Sequence, residues 1–399
     1  MDRDAVLAGL KAYEGELIDI RHDLHRHPET CYEEIRTSGV VQEKLTAWGI
    51  PFEAGIAGTG VVATITGKRP SQGTNARRAI GLRADMDALN MVETNRFGHA
   101  STIPGKMHGC GHDGHTTMLL GAARYLTENP DFTGTVHCIF QPAEEGGAGG
   151  KKMIDEGLFE RFPCDAVYSL HNKPGLDLGK FITRKGPQLA CADSWTVIFR
   201  GTGGHGGAPE KSTDTTIPLA HFILSLQAII GRNVPGLDSA VLSIGIIKAG
   251  SSHNVIPAEI EVTGTSRCHR PEIRDLLETR LRQVAHHAAG MSNCTAEVLY
   301  ERGYPPVVNA PRETDTAIAA ISALVGADNV DGDSPPINAA DDIAYMLEKR
   351  PGCNVMIGNG KGPQFKNNHM PDYDFNDEII VLGAAYWVSL AHQELNPAL

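Results

Sequence analysis

The sequence predicts an α/β protein: a mixed, largely parallel sheet with helices on both faces, interrupted by an inserted α+β module. Three observations carry that expectation. Short β-branched or apolar runs alternate with helical patterns along residues 1–185, the order that yields parallel strands with covered faces. Near Lys185 the alternation gives way to longer strands and two long helices, and from about Tyr304 it resumes. At 399 residues, 41% apolar and 21% charged, the chain is long enough for two domains. The expected division is 1–185 with 299–399 as one domain and 186–298 as the insertion.

Taken in order, residues 4–27 read as one amphipathic helix with Val6, Leu10, Tyr13, Leu17, Ile20 and Leu24 as its apolar stripe. His27-Pro28 ends it. His22, His25 and His27 lie on its flank, where histidines are ordinarily solvated or hydrogen-bonded rather than metal ligands. A second helix spans 33–48 and stops at Gly49. GVVATITG at 60–67 and the run 79–84 are strands, the second delivering Arg83, Asp85 and Asp87 at its end. A helix at 115–128, a strand at 134–140, a helix near 149–157 and a strand at 165–170 complete this half. The insertion reads as strand 192–200, glycine turn 201–207, helix 213–231, strands 239–248 and 258–267, helix 271–288 and strand 293–300. Helix 312–324, a helix opened by Asp341-Asp342, strand 353–357, the loop 369–377 and a final helix follow.

Composition narrows the function classes. A formal net charge of −12 without a basic cluster argues against nucleic acid as a partner. No apolar run approaches 18 residues, so no membrane-spanning helix is expected. The opening MDRDAVLAGLKAYEGEL is charged and helical, without a signal-peptide core, and the eight cysteines are scattered singly. The expected compartment is the cytoplasm.

The chain is organised around GKMHGCGHDGHTTM, residues 105–118. It packs Cys110, His112, Asp113 and His115 into six residues, with His108 just upstream. A thiolate and an imidazole two residues apart on glycine-rich backbone can converge on one metal ion. From Thr116 the pattern turns helical, so the cluster sits at a loop-to-helix junction. Further donors stand at other strand ends and loops: Glu144-Glu145 in QPAEEGG, His171 after DAVYSL, and His369 in HMPDYDFND. In a parallel sheet the chemistry gathers at the strand carboxyl ends. Cys110, His112, Glu145, His171 and His369 together suit two adjacent divalent ions if one donor bridges. In an extended segment neighbouring side chains point to opposite sides, so one of Glu144 and Glu145 can bind metal while its neighbour faces the substrate, where a carboxylate beside metal-bound water is a natural general base.

CGHDGH, QPAEEGGAGG, SLHN, GGHGG, SHNVIP, TSR and HMPDYDFND, in this order, resemble the M20 family of metallopeptidases. The resemblance is strongest to its N-acyl-amino-acid amidohydrolases, among them hippurate hydrolases and auxin-conjugate hydrolases, and it covers nearly the whole chain. It implies a di-metal exopeptidase-like catalytic domain, with metal ligands at Cys110, His112, Glu145, His171 and His369 and Glu144 as catalytic base. It implies that residues 186–298 form a lid that mediates dimerisation. By the same resemblance His205 reaches a partner subunit's active site as oxyanion stabiliser, while Asn254 and Arg267 hold the substrate carboxylate. A guanidinium offers that carboxylate a bidentate match. Two departures stand out. Where other M20 branches carry a ligand in a His-x-Asp motif, this chain has Arg83-Ala84-Asp85, which shifts ligation to CGH and leaves Asp85 an orienting role. After the GGHG turn the chain reads Gly207-Ala208-Pro209-Glu210 instead of Ala-Met-Pro-His, which alters the lid's contacts or the substrate pocket.

The expected function is therefore a metal-dependent amidohydrolase that cleaves N-acyl amino acids with two divalent ions per chain, Zn or else Mn, Co or Ni. A homodimer or dimer-based oligomer is expected. The alternatives are a dipeptidase, an aminoacylase or an N-acetyl-diaminopimelate deacylase on the same scaffold, or a metal-binding protein without turnover. The last leaves the carboxylate of Glu144 without a task.

Overall fold

The computed structural model of the protein describes residues 2–70 and 78–396. The chain begins with α1 (Arg3–Lys11), α2 (Glu14–Arg26), α3 (Ile35–Ala47), β1 (Phe52–Ile56), β2 (Gly60–Thr66) and β3 (Ala79–Asp85). Then come α4 (His112–Glu128), β4 (Thr135–Gln141), α5 (Gly149–Asp155), α6 (Leu158–Arg161), β5 (Ala166–Pro174), β6 (Phe181–Ile182) and β7 (Gly186–Leu189). The middle holds β8 (Ala192–Arg200), β9 (Gly204–His205), α7 (Thr216–Asn233), β10 (Ala240–Ala249), β11 (Val255–Ile256), β12 (Glu259–Cys268), α8 (Pro271–Gly290) and β13 (Thr295–Tyr304). It closes with β14 (Val307–Asn309), α9 (Pro311–Val325), β15 (Val330–Asp331), α10 (Ile343–Leu347), β16 (Gly352–Gly360) and α11 (Ile380–Leu395). No helix among the described residues is long and apolar enough to cross a membrane.

Two compact units result. One takes Met1–Gly186, Val308–Pro335 and Tyr345–Leu399, the other Pro187–Val307 and Pro336–Ala344. The return to the first unit lies beyond the expected residue 298, because β13 pairs with β8 as far as Tyr304. The short stretch 336–344 joins the second unit through the backbone bonds from Ile337 to Gln188 and from Ala190 to Ala339.

The first unit carries an eight-stranded sheet in the order β1-β2-β4-β3-β5-β16-β6-β15. Its centre is parallel: β3 runs with β4 and β5, and β5 with β16. Every residue of β3 and of β16 is buried, so both faces of the sheet are covered, as near-continuous apolar strands require. The core unites Leu82 and Tyr168 of the sheet with Met118 and Leu119 of α4 and Trp387 of α11. Asp85 pairs with Gln141 and Arg83 with Ser169, which sets Asp85, the end of β4 and His171 along one edge.

Locally the elements differ from expectation in ways that matter for the site. The first helix breaks at Ala12-Tyr13 into α1 and α2, and β1 adds an edge strand. α4 starts at His112 rather than His115, because Gly111 takes φ 94° and caps the helix there. A Cβ on Gly111 would lie 2.6 Å from Asn172 Oδ1 and from the Tyr373 hydroxyl, so only glycine fits. β5 runs on to Pro174, so His171 and Asn172 lie inside the strand, paired with Met356 and Ile357 of β16.

The second unit has a four-stranded antiparallel sheet in the order β10-β12-β8-β13. Inward residues of β8 and β12 alternate with more exposed ones, the pattern of a sheet covered on one face. Trp195, Val197 and Phe199 meet Phe222 and Leu226 of α7 and Leu277 and Leu281 of α8. β10 is an edge strand and leaves Ile246 and Ile247 about half exposed.

Candidate metal centre

The carboxyl edge of the first unit's sheet brings the predicted ligands together. Cys110, His112 and His171 place their ligand atoms within 4.8 Å of one another, and Cys110, Glu145 and His369 do the same. Cys110 is common to both groups. Cys110 Sγ lies 3.5 Å from His171 Nε2, and His369 Nε2 lies 3.2 Å from Glu145 Oε1.

Each donor is aimed by its surroundings. His112 sits in the first turn of α4, and its Nδ1 lies 2.9 Å from Asp87 O and 3.2 Å from Asp87 Oδ1. That nitrogen therefore donates to Asp87, so in the neutral ring it is Nε2 that carries the lone pair for a ligand. His171 does likewise, with Nδ1 at 2.7 Å from Asn172 O. The loop of His369 is tied to the thiol's own segment by His369 N donating to Gly109 O at 2.8 Å. His369 at φ 64° and Ala143 at φ 55° occupy the left-handed region, as strained positions in functional sites often do.

Ala143 also changes the geometry expected of the Glu144-Glu145 pair. The chain leaves β4 at Gln141 and turns, so the two carboxylates do not diverge as on a strand. Both come within 4.8 Å of the ligand atom of His112. Asp87 holds this turn: its Oδ1 accepts from Glu144 N at 3.0 Å and its Oδ2 from Glu145 N at 2.8 Å. Asp85 is engaged otherwise, with Oδ2 at 2.7 Å from Arg83 Nη1 and Oδ1 at 2.6 Å from His115 Nδ1. Its nearest approach to His112 is 3.8 Å, at Nε2.

Charge in the cluster follows from burial and these contacts. Burial disfavours the imidazolium of His112, but Asp85 beside it holds the pKa well above the usual value. Burial and the neighbouring His115 hold His171 well below it. Hydrogen bonds to Cys110 and Glu145 push His369 up to about 10. Burial and the Glu145 charge raise the Cys110 thiol. A divalent cation fits this set on two observations: His112 Nε2 is buried without a hydrogen-bond partner, and one thiolate, three imidazoles and one carboxylate are borderline-soft donors. His108 is a bystander by contrast, buried with neither nitrogen paired and pushed down to about 4 by that burial.

The second unit carries the remaining predicted residues. His205 on β9 pairs with Val255 of β11, and Gly206 N donates to Asn254 O at 2.8 Å, so His205 and Asn254 are neighbours. His205 Nδ1 accepts from Gly207 N at 2.9 Å, and the ring is exposed. Arg267 lies eight residues beyond Glu259 along β12, roughly 26 Å at the usual strand rise. Its Nη1 donates to Thr265 Oγ1 and, at 2.9 Å, to Ser266 O. The turn that bears Asn254 leads into the Glu259 end of β12, and Arg267 stands near the other end of that strand.

Sequence reasoning missed Asp87. Its signal was present in the Asp-x-Asp of RADMDAL, which puts two carboxylates at a strand's carboxyl end. Position alone does not tell which of them turns toward the cluster.

Comparison with known proteins agrees with the geometry. The model for peptidase family M20/M25/M40 matches residues 81–393. A hippurate hydrolase of Campylobacter jejuni is 35% identical over 378 residues, 95% of this chain and 96% of the relative. An N-acetyl-L-cysteine deacetylase of Bacillus subtilis is 37% identical over 384 residues, 95% of this chain and 88% of the relative. Among solved structures, the Bacillus subtilis YXEP protein, a dinuclear metal binding peptidase from the M20 family, superposes with a TM-score of 0.84. It is 30% identical, over 97% of this chain and all of that one.

Proposed function

This chain belongs to peptidase family M20/M25/M40, and on that premise we propose that it hydrolyses the amide bond of N-acyl amino acids with two divalent metal ions. The observation that carries the reading is the membership of Cys110 in two donor groups at once, with both carboxylates of Glu144-Glu145 beside His112. Cys110, His112 and His171 would hold one ion, and Cys110, Glu145 and His369 the other. When bound, the ions supply Lewis acidity to the scissile carbonyl and acidify water. Glu144 takes the proton of the attacking water and delivers it to the departing amine nitrogen, as one carboxylate can serve as base and then acid. Asp87 keeps His112 in the required tautomer and holds the backbone of both glutamates. Asp85 orients His115 and neutralises Arg83 at the same edge.

The named relatives act on hippurate and on N-acetyl-L-cysteine, and both are N-acyl amino acids with a free carboxylate. We place Arg267 and Asn254 on that carboxylate and His205 on the oxyanion. The strand-length separation within one chain supports a division: Arg267 from one subunit, His205 and Asn254 from its partner. The exposed edge of β10 supports an edge-to-edge homodimer, with the second unit as lid. The free cysteines support a reducing cytoplasm. Zinc suits the thiolate and imidazoles, with manganese, cobalt or nickel as alternatives.

The test is a panel of N-acyl amino acids, dipeptides and N-acetyl-diaminopimelate on metal-stripped protein reloaded with each of these metals, with metal content measured alongside. About two ions per chain and fastest turnover on N-acyl amino acids are expected. Fastest turnover on dipeptides overturns the substrate class, and no metal uptake overturns the centre.

A further inference from the structure

α2 carries two buried side chains that reach segments of the metal centre without belonging to it. Arg21 is 1% exposed and His25 fully buried. Arg21 Nη1 donates to Asp374 Oδ1 at 2.8 Å and Nε to Asp377 Oδ1 at 2.8 Å, while Nη1 stands 3.6 Å from Asp113 Oδ2. His25 Nδ1 lies 2.8 Å from that same Asp113 Oδ2, and its Nε2 lies 3.2 Å from Glu93 Oε1. Asp113 directly follows His112 in α4, and Asp374 and Asp377 follow His369 in its loop.

The chain between β16 and residue 377 has no helix or strand, so nothing regular sets where His369 stands relative to α4. Phe375 of the loop lies against α4 so closely that a Cβ on Gly114 would meet its ring at 2.3 Å. Between these two bodies the guanidinium is a spacer of fixed shape: Nη1 and Nε donate to Asp374 and Asp377 of the loop, Nη2 faces Phe375 O at 3.4 Å, and Nη1 stands 3.6 Å from Asp113 of α4. A buried ion cluster of this kind contributes little net stability, since desolvation offsets attraction, but its geometry is exacting.

Resting on the reading of Cys110, His112, Glu145, His171 and His369 as a metal centre, we propose that Arg21 and His25 are positioning residues. Through Asp113, Asp374 and Asp377 they set the spacing between the helix that carries His112 and the loop that carries His369. Loss of such outer partners typically weakens metal binding about 10–100-fold.

The test measures zinc and manganese affinity by chelator competition in the wild-type protein, Arg21→Lys, His25→Ala, His25→Asn and His25→Gln. Thermal unfolding of each metal-stripped form runs in parallel. Lysine keeps the charge but not the fork, so Arg21→Lys is expected to bind about 10-fold or more weakly, as is His25→Ala. Removing the imidazole beside buried Asp113 should lower the metal-stripped melting temperature of His25→Ala, whereas Arg21→Lys and His25→Asn, which keep a donor in place, should melt closer to wild type. Asparagine can still donate from the Nδ1 position to Asp113, so His25→Asn should recover most of the affinity, and His25→Gln should not. Wild-type affinity in Arg21→Lys and His25→Ala overturns the inference, as does a loss in Arg21→Lys that follows a matching fall in its metal-stripped melting temperature. If either variant does not fold, equal affinity of His25→Asn and His25→Gln overturns it. Failure of the wild-type protein to bind metal would instead overturn the metal centre itself.

Discussion

Asp87 holds His112 from the side away from the ligand cluster: its carbonyl and carboxylate oxygens lie 2.9 and 3.2 Å from His112 Nδ1. The same carboxylate accepts the backbone N–H groups of Glu144 and Glu145. One side chain thus aligns His112 and Glu145, the two proposed ligands, and the proposed base Glu144. Asp87→Ala is expected to weaken metal binding roughly 10–100-fold, measured by chelator competition. Unchanged affinity would mean that the Asp87 carbonyl alone holds the imidazole.

Both glutamates place a carboxylate oxygen within 4.8 Å of His112's ligand atom but take different tasks in the proposed reaction. Glu144→Gln should keep its metal and lose roughly 10²–10⁴-fold in kcat, the usual worth of a placed general base. Glu145→Gln should lose metal as well, read by elemental analysis. Swapped phenotypes would reverse the assignment.

A substrate carboxylate read by Arg267 predicts that its methyl ester or amide is a poor substrate. The expected loss in kcat/KM is about 10²-fold or more, because the guanidinium would be left facing a group that cannot pair with it. Equal rates on acid and amide would remove Arg267 and Asn254 from the substrate.

His137 is a source of acid sensitivity remote from the ligands. It is buried in β4 with Nδ1 at 3.0 Å from Thr64 Oγ1, and burial pushes its pKa down to about 4. The unfolded chain takes up a proton near pH 6.5, while the folded one resists until about 4, so stability is full above pH 6.5 and falls as pH drops through that window. The slope from one such group is at most about 1.4 kcal/mol per pH unit. Denaturant unfolding of His137→Gln between pH 7 and 4.5 should show a shallower decline than wild type. Parallel curves would assign the acid sensitivity elsewhere.

His205 is exposed on β9, its Nδ1 occupied by Gly207 N–H. If it stabilises the oxyanion across a dimer, His205→Ala should retain metal and lose roughly 10²–10³-fold in kcat. Mixing His205→Ala with Glu144→Gln should restore part of the activity, since a mixed dimer has one site with both defects and one intact. Subunit exchange without recovered activity would place His205 in its own subunit's site or in a structural role.

The sequence alone carried the α/β architecture, because strand and helix periodicities are local and strong in GVVATITG, in the 115–128 helix and in DAVYSL. It also carried the list of metal-type donors, since Cys and His spaced by two and a Glu-Glu pair after a strand are chemistry that one dimension can display. It did not show that Ala143 turns the Glu144-Glu145 segment, that α4 begins at His112, or that β5 runs past His171. Those depend on which backbone finds a partner: β16 extends β5, and the space beside Gly111 admits no side chain. Tertiary structure also chose Asp87 over Asp85 to hold His112 Nδ1, and moved His25 from a helix flank into a buried pair with Asp113. The physical reason is the same in each case. Periodicity fixes which face a residue takes on its own element, whereas a hydrogen bond between residues 25 and 113 depends on how distant segments pack.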